Sequence, residues 1–297
     1  MQNQKILLIG AIGLLGQALL RTKSKFSVVP LFYKNIDLES NCSRSVLDIT
    51  DKKSVLRQVA IIKPSIIIHA ASIGNVDYCE KHQEEAHKVN VEGTQNLVDA
   101  CQQHNAKLVF MSSNAVFDGK SPPYNEKGKV NPINFYGKTK ALAEEIIQRS
   151  RIDNVIVRLI LMYGWNHPKV RENPVTWLLK KLEKKEVTKL VNDTYTNPLY
   201  NMQAAQAIWT LIKRNKTGIY HIAGKEKVNR YEFGVKVARV FGYEIKNIKP
   251  VSSDYFKGIA PRMADTSYDT SKIQKELGIQ PISINDGLLL MKREARV

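Results

Sequence analysis

Short apolar runs recur through the first half of this chain, and each is followed by a stretch in which apolar residues return every three or four positions. The runs Ile6–Ile9, Val28–Phe32, Ile66–His69, Leu108–Met111 and Val155–Leu159 predict buried strands. Amphipathic helices are predicted near Leu15–Arg21, Lys53–Ile61, Glu84–His104 and Phe135–Arg149. Strands alternating with helices require βαβ crossovers. They therefore imply an α/β fold with a doubly wound parallel sheet covered by helices on both faces.

The rhythm changes after Tyr163-Gly164. A lysine-rich helix (Pro174–Lys185) and a strand (Val187–Val191) lead to Asn197-Pro198. A helix at Met202–Lys213, a strand at Gly218–His221 and a helix at Arg230–Phe241 follow. Pro250, Pro261 and Pro281 then break the remainder into short elements. These boundaries predict a main domain over residues 1–160 with 195–223 threaded back onto it, and a smaller substrate-binding lobe made of 161–194 and 224–297. A ligand is expected between the two, outside the carboxyl ends of the strands.

Composition narrows the class further. No apolar run approaches the ~18 residues that span a bilayer, and no export signal is evident, so a soluble cytoplasmic protein without membrane contact is expected. Cys42, Cys79 and Cys101 form no CxxC pair, which argues against a disulfide framework and against a metal site. Lys and Arg total 45 against 28 acids, a net charge of +17. These cations are scattered rather than gathered in a block, and no nucleic-acid motif accompanies them. A solvated basic surface that attracts anionic small molecules is the better reading than a nucleic-acid partner.

The strongest local motif opens the chain. Gly10-Ala11-Ile12-Gly13-Leu14-Leu15-Gly16 directly follows the first predicted strand and begins the first helix. Gly10 allows the tight turn, Gly13 lets backbone approach a pyrophosphate, and Gly16 permits close helix–strand packing. The helix N-terminus then offers free N–H groups to phosphate. Together these features make the main domain a Rossmann-type NAD(P) site. The second strand ends Leu31-Phe32-Tyr33-Lys34 without the acid that holds an NAD ribose, and Lys34 suits a 2′-phosphate. NADP is therefore preferred, with NAD as the alternative. Asp48, next to Ile49, either hydrogen-bonds the adenine amine or, with Thr50 or Asp51, starts the next helix.

A second constellation supplies chemistry. Tyr136 and Lys140 form a YxxxK pair on one helical face, an arrangement in which the ammonium lowers the phenol pKa. The strand Leu108–Met111 ends in Ser112-Ser113, and Ser113 is placed to donate to the same substrate carbonyl. This set suits hydride transfer to a ketone, with Lys140 also able to hold the nicotinamide ribose.

These residues, together with His69-Ala70-Ala71, Val89-Asn90-Val91-Glu92-Gly93-Thr94, Val116-Phe117-Asp118-Gly119 and Asn131-Pro132-Ile133-Asn134-Phe135-Tyr136, resemble the extended short-chain dehydrogenases/reductases. Within them the segments Asn75–Glu80, Pro122–Glu126 and Ala260-Pro261-Arg262 are most similar to the dTDP-4-dehydrorhamnose reductase-like group. The resemblance spans nearly the whole chain. It implies Ser113, Tyr136 and Lys140 as the catalytic set, with Tyr136 the proton donor. The cofactor would lie over the glycine loop, flanked by Ala70, Ala71, Ser72 and Asn90. Asn75, Asn114, Ala115 and Leu161 would meet the sugar, and Arg262 its diphosphate. The implied partner is a nucleotide-sugar substrate in polysaccharide building, and a homodimer is compatible with the group.

Two departures matter. The rhamnose reductases usually read Ser-Thr-Asp-Tyr where this chain has Ser112-Ser113-Asn114-Ala115, and a tryptophan common near Leu161 is missing. A 4,6-dehydratase would need an Asp-Glu pair at Asn114-Ala115 and is excluded. A nucleotide-sugar 4-epimerase uses the same residues. The chain also resembles the regulatory beta subunit of methionine adenosyltransferase, which keeps the dinucleotide fold as a binding partner.

Overall fold

The computed structural model describes residues 4–22, 26–33, 45–256 and 260–295. The apolar runs pair into one sheet. Its strands are β1 (Lys5–Ile9), β2 (Ser27–Phe32), β3 (Ser45–Val46), β4 (Ile66–His69), β5 (Lys107–Ser113), β6 (Asn154–Leu159) and β7 (Gly218–Ile222). All neighbours run parallel, in the order β7-β6-β5-β4-β1-β2-β3. The order reverses at β1 and β4, and a crevice opens at their carboxyl ends.

Alternation along each strand sends side chains to both faces, and both are dry. Ile6 and Leu8 of β1 join one apolar core with α1 (Leu14–Arg21). Leu7 and Ile9 join the other, with α2 (Lys52–Ile62), α3 (Gly93–His104) and α4 (Phe135–Arg149). The expected helix at Glu84–His104 is one continuous path but not one α-helix. It consists of Gln83–His87, a π-helical turn at Lys88–Glu92, and α3. The wider turn sets Asn90 facing the loop after β4, where its side chain accepts from Ile73 N at 2.8 Å and donates to Ile73 O at 3.2 Å.

The later residues build α5 (Pro174–Glu183), α6 (Asn201–Lys213), α7 (Arg230–Phe241) and α8 (Ile284–Glu294). Capping boxes start α5, with Asn173 and Thr176, and α7, with Asn229 and Glu232. A third core containing Leu178, Val237 and Leu288 lies among α5, α7 and α8. By contrast, α6 buries Ala204, Ile208 and Leu211 in the first core, against α1. Tyr268, Ile273 and Leu277, in the range expected for the smaller lobe, also pack in that first core. Glu294 of α8 bonds both Arg21 of α1, at 2.8 Å, and the Tyr200 hydroxyl. Among the described residues no helix is long and apolar enough to cross a membrane.

Candidate active site

The crevice at the strand ends widens into a cleft of about 1150 Å³ between the sheet and the α5–α7 lobe. Gly13 and Leu14 form part of its wall, with Asn75, Ser113, Asn114 and Tyr136. Leu161 and Arg262 line it as well. Residues from six separated positions of the sequence thus share one surface.

The three glycines of the first loop serve different purposes. Gly10 has φ +84°, and an added Cβ would fall 2.6 Å from Ala71 N. At Gly16 it would fall 2.4 Å from the Gly10 carbonyl oxygen, so α1 could not lie as close to the loop. At Gly13 an added Cβ meets only that same oxygen, at 3.3 Å. Packing therefore demands Gly10 and Gly16, whereas Gly13 leaves the cleft wall open to a ligand. Gly13 is also the N-cap of α1 and makes no side-chain cap, which leaves the first N–H groups of the helix for an anion. The loop fits a dinucleotide pyrophosphate.

Around the loop, Ile12 packs on the first core and Leu15 is buried within it. Ala70 and Ala71 press against Gly10, and Ser72 is exposed beyond them. Asn90 is buried, and Ile49 is buried against Gly93. Tyr33 is exposed at the end of β2, and Lys34 lies outside the described residues. Asp48 accepts from both the backbone and the hydroxyl of Thr50, at 2.9 and 2.8 Å, while Asp51 caps α2. The helix-start role among the earlier alternatives thus falls to Asp51.

Tyr136 stands in the first turn of α4, which Asn134 caps through Gly137 N. Its side chain lines the cleft, and its hydroxyl is buried. Burial pushes its pKa up to about 12, with the hydroxyls of Ser113 and Ser72 acting in the opposite direction. Lys140 follows one turn later and is 3% exposed. Its ammonium donates to the Met111 carbonyl at 2.8 Å and lies 4.7 Å from the Phe110 ring centre. Burial pulls it down to about 8, opposed by Glu144. The sequence pattern suggested an ammonium-lowered phenol. Here burial dominates instead, and the phenol keeps its proton at neutral pH.

Behind this pair lies a buried ionic group that the sequence did not signal. Arg158 of β6 holds Glu144 with two bonds, at 2.9 and 2.7 Å, and Ser112 donates to the same carboxylate at 2.5 Å. Tyr136, Lys140 and Glu144 occupy successive turns of one face of α4. His69, packed on Phe110, is held neutral, at about 3, by burial and by Lys140.

The expected sugar contacts divide. Ser113 accepts from Ala115 N and donates to Asn114 Oδ1, both at 3.2 Å, and Asn114 donates to Thr266 Oγ1 at 2.6 Å. Asn75 lines the cleft while capping the helix Val76–Lys81. Ala115 is buried behind the wall, its carbonyl against Gly137. Arg262 does not pair with Asp265, which binds Lys227; it donates to Asp77 at 2.8 Å. Arg230, which no sequence motif singled out, also faces the cleft.

A Rossmann sheet, a glycine loop against α1 and a Ser-Tyr-Lys set at the end of β5 define an oxidoreductase of the extended short-chain dehydrogenase/reductase class. A profile of the RmlD substrate binding domain matches residues 4–296, and the chain belongs to that family. It is 29% identical over 292 residues to the dTDP-4-dehydrorhamnose reductase of Aggregatibacter actinomycetemcomitans, covering 93% of this chain and 94% of the relative. Methionine adenosyltransferase 2 subunit beta of Xenopus laevis is 29% identical over 281 residues, covering 92% and 82%. Among solved structures, the dTDP-4-dehydrorhamnose reductase of Bacillus anthracis str. Ames, in complex with NADP, aligns with a TM-score of 0.88 at 28% identity, over 98% of this chain and 99% of that one.

Proposed function

We propose that this protein reduces the 4-keto group of a nucleotide-linked deoxysugar using NADPH. The observation that carries the reading is the single cleft in which the glycine loop, Ser113, Asn114 and Tyr136 meet. Gly10, Gly13 and Gly16 would hold the pyrophosphate at the start of α1, with Asn90 and Lys140 toward the nicotinamide half. When bound, the dinucleotide supplies the hydride. The NADP complex of the Bacillus anthracis relative supports that choice of cofactor.

The residues of the chain handle charge and the proton. As negative charge develops on the keto oxygen, Ser113 donates a hydrogen bond to it and Tyr136 transfers its phenolic proton. A phenol held near 12 carries that proton throughout the neutral range, as a donor in the reducing direction must. The tyrosinate left behind is stabilised by the Lys140 ammonium, which Glu144 favours in its charged form. Asn114, fixed by Thr266, shapes the wall where the rhamnose reductases carry an acid.

The test is to incubate the protein with NADPH, and separately NADH, and a panel of nucleotide-linked 4-keto-6-deoxysugars, following loss of the reduced nicotinamide absorbance. Oxidation that disappears in Tyr136→Phe supports the reductase, and the better coenzyme sets NADP against NAD. Tight dinucleotide binding with no turnover of any panel member overturns it. That result fits an epimerase, or a binding subunit like the beta subunits among the relatives.

A further inference from the structure

Three arginines face the cleft, in unequal states: Arg171 and Arg262 are exposed, and Arg230 is half-buried. Arg262 is already engaged: it donates to Asp77 Oδ1 and to the Ala260 carbonyl, each at 2.8 Å, and Asp77 also accepts from Ala260 N at 3.0 Å. Arg230 has no such partner. Among the described residues no carboxylate pairs with it, and Arg262 is the charge acting on it. Burial and that like charge pull even its guanidinium down to about 10. The nearby Glu172 is bonded to Lys180 instead.

Arg230 is the first residue of α7, but the helix end is not what it offers. Asn229 and Glu232 close a capping box there, at 2.8 and 3.0 Å, so those N–H groups are satisfied. The side chain stands where the main cleft meets an adjoining pocket of about 660 Å³. That pocket is walled by Trp177, Leu190, Phe233, Val237 and Phe256. A cation without a counter-ion thus stands between the chamber that holds Ser113 and Tyr136 and one with aromatic walls.

A partly desolvated, unpaired cation is unfavourable, and a second cation facing it adds to the cost. A dianionic group arriving at this point relieves both. We propose that Arg230, rather than Arg262, is the principal anion ligand of the cleft, that it binds the diphosphate of a nucleoside diphosphate whose base enters the Trp177–Phe233 pocket, and that Asp77 holds Arg262 back as a competing latch. The assignment rests on the nucleotide-sugar reading above and gives it a direction: sugar toward Tyr136, base toward Trp177.

The experiment is calorimetric titration of dTDP and of thymidine into protein saturated with NADP, so that the cofactor site is closed to both. Wild type, Arg230→Gln, Arg230→Lys, Arg262→Gln and Asp77→Asn are compared, each with its thermal unfolding midpoint. Removing charge-assisted bonds to phosphate is expected to weaken dTDP about 10- to 100-fold in Arg230→Gln. Arg230→Lys should fall between, and thymidine and NADP affinities should not move. Asp77→Asn should bind dTDP more tightly than wild type, because Arg262 is released. Arg230→Gln should unfold no earlier than wild type without ligand, since it removes an unpaired, half-buried charge, so its lost affinity is not lost structure. Wild-type dTDP affinity in Arg230→Gln, with the loss appearing in Arg262→Gln, overturns the assignment. A wild-type protein that binds no dTDP, and no UDP or GDP in the same titration, overturns the nucleotide-sugar reading itself.

Discussion

Lys140 carries a charge in one of the least accessible places in the molecule, and its contribution to stability should be negative. Its pKa falls from the ordinary 10.5 to about 8, mainly through burial. At about 1.4 kcal/mol for each tenfold change, this corresponds to about 3 kcal/mol of folding stability surrendered while the ammonium stays charged. The hydrogen bond to Met111 and the contact with Phe110 return about 1 kcal/mol. Lys140→Met should therefore stabilise the ligand-free protein by about 2 kcal/mol near pH 7, while abolishing turnover. The pH dependence has a definite sign. Below about 8 both folded and unfolded chains hold the proton, and the penalty is fully present. Between about 8 and 10.5 only the unfolded chain keeps it, so wild-type stability rises with pH relative to the variant. Urea unfolding of both proteins across this window should show the gap closing. A variant less stable than wild type near neutrality, or a gap that ignores pH, would refute the reasoning.

Two other outcomes are specific to the geometry. Gly16→Ala forces a Cβ to 2.4 Å from one backbone oxygen and 2.6 Å from another, and should cost about 2 kcal/mol or more as well as dinucleotide binding. Gly13→Ala should leave the thermal midpoint nearly unchanged and weaken dinucleotide binding alone; equal midpoint losses in the two variants would contradict the division of roles. Arg158→Met leaves Glu144 buried without its counter-ion and should destabilise by about 3–5 kcal/mol in denaturant titration, whereas Arg158→Met combined with Glu144→Leu should recover most of the loss.

The sheet was legible because both of its faces are dry: β1, β4, β5 and β6 read as apolar runs no partner could disguise. The glycine loop and YxxxK were legible because backbone geometry and helical spacing constrain them locally. What escaped depends on pairs far apart in sequence. The π-helical turn at Lys88–Glu92 follows from Asn90 reaching Ile73, and nothing in its own residues requires it. Arg262 was singled out, but its partner Asp77 lies 185 residues away. Arg230 is one of 45 basic residues, and no motif around it marks it out. The state of Tyr136 was misjudged for a related reason. Spacing places Lys140 one turn away but is silent on how deep the hydroxyl is buried.

The route of the chain through the sheet has a consequence for biosynthesis. β6 ends at Leu159, and the strand that covers its edge, β7, begins only at Gly218. At translation rates of about 5–20 residues per second, that interval leaves an apolar, unpaired strand edge exposed for seconds on every nascent chain. α6, which shields the same core, emerges in the same interval, and Ile273 and Leu277 arrive later still. Nascent chains halted between these points present a template for edge-to-edge pairing with one another. Yield in a heterologous host should therefore respond more to chaperone supply and growth temperature than to any gain in the stability of the finished fold.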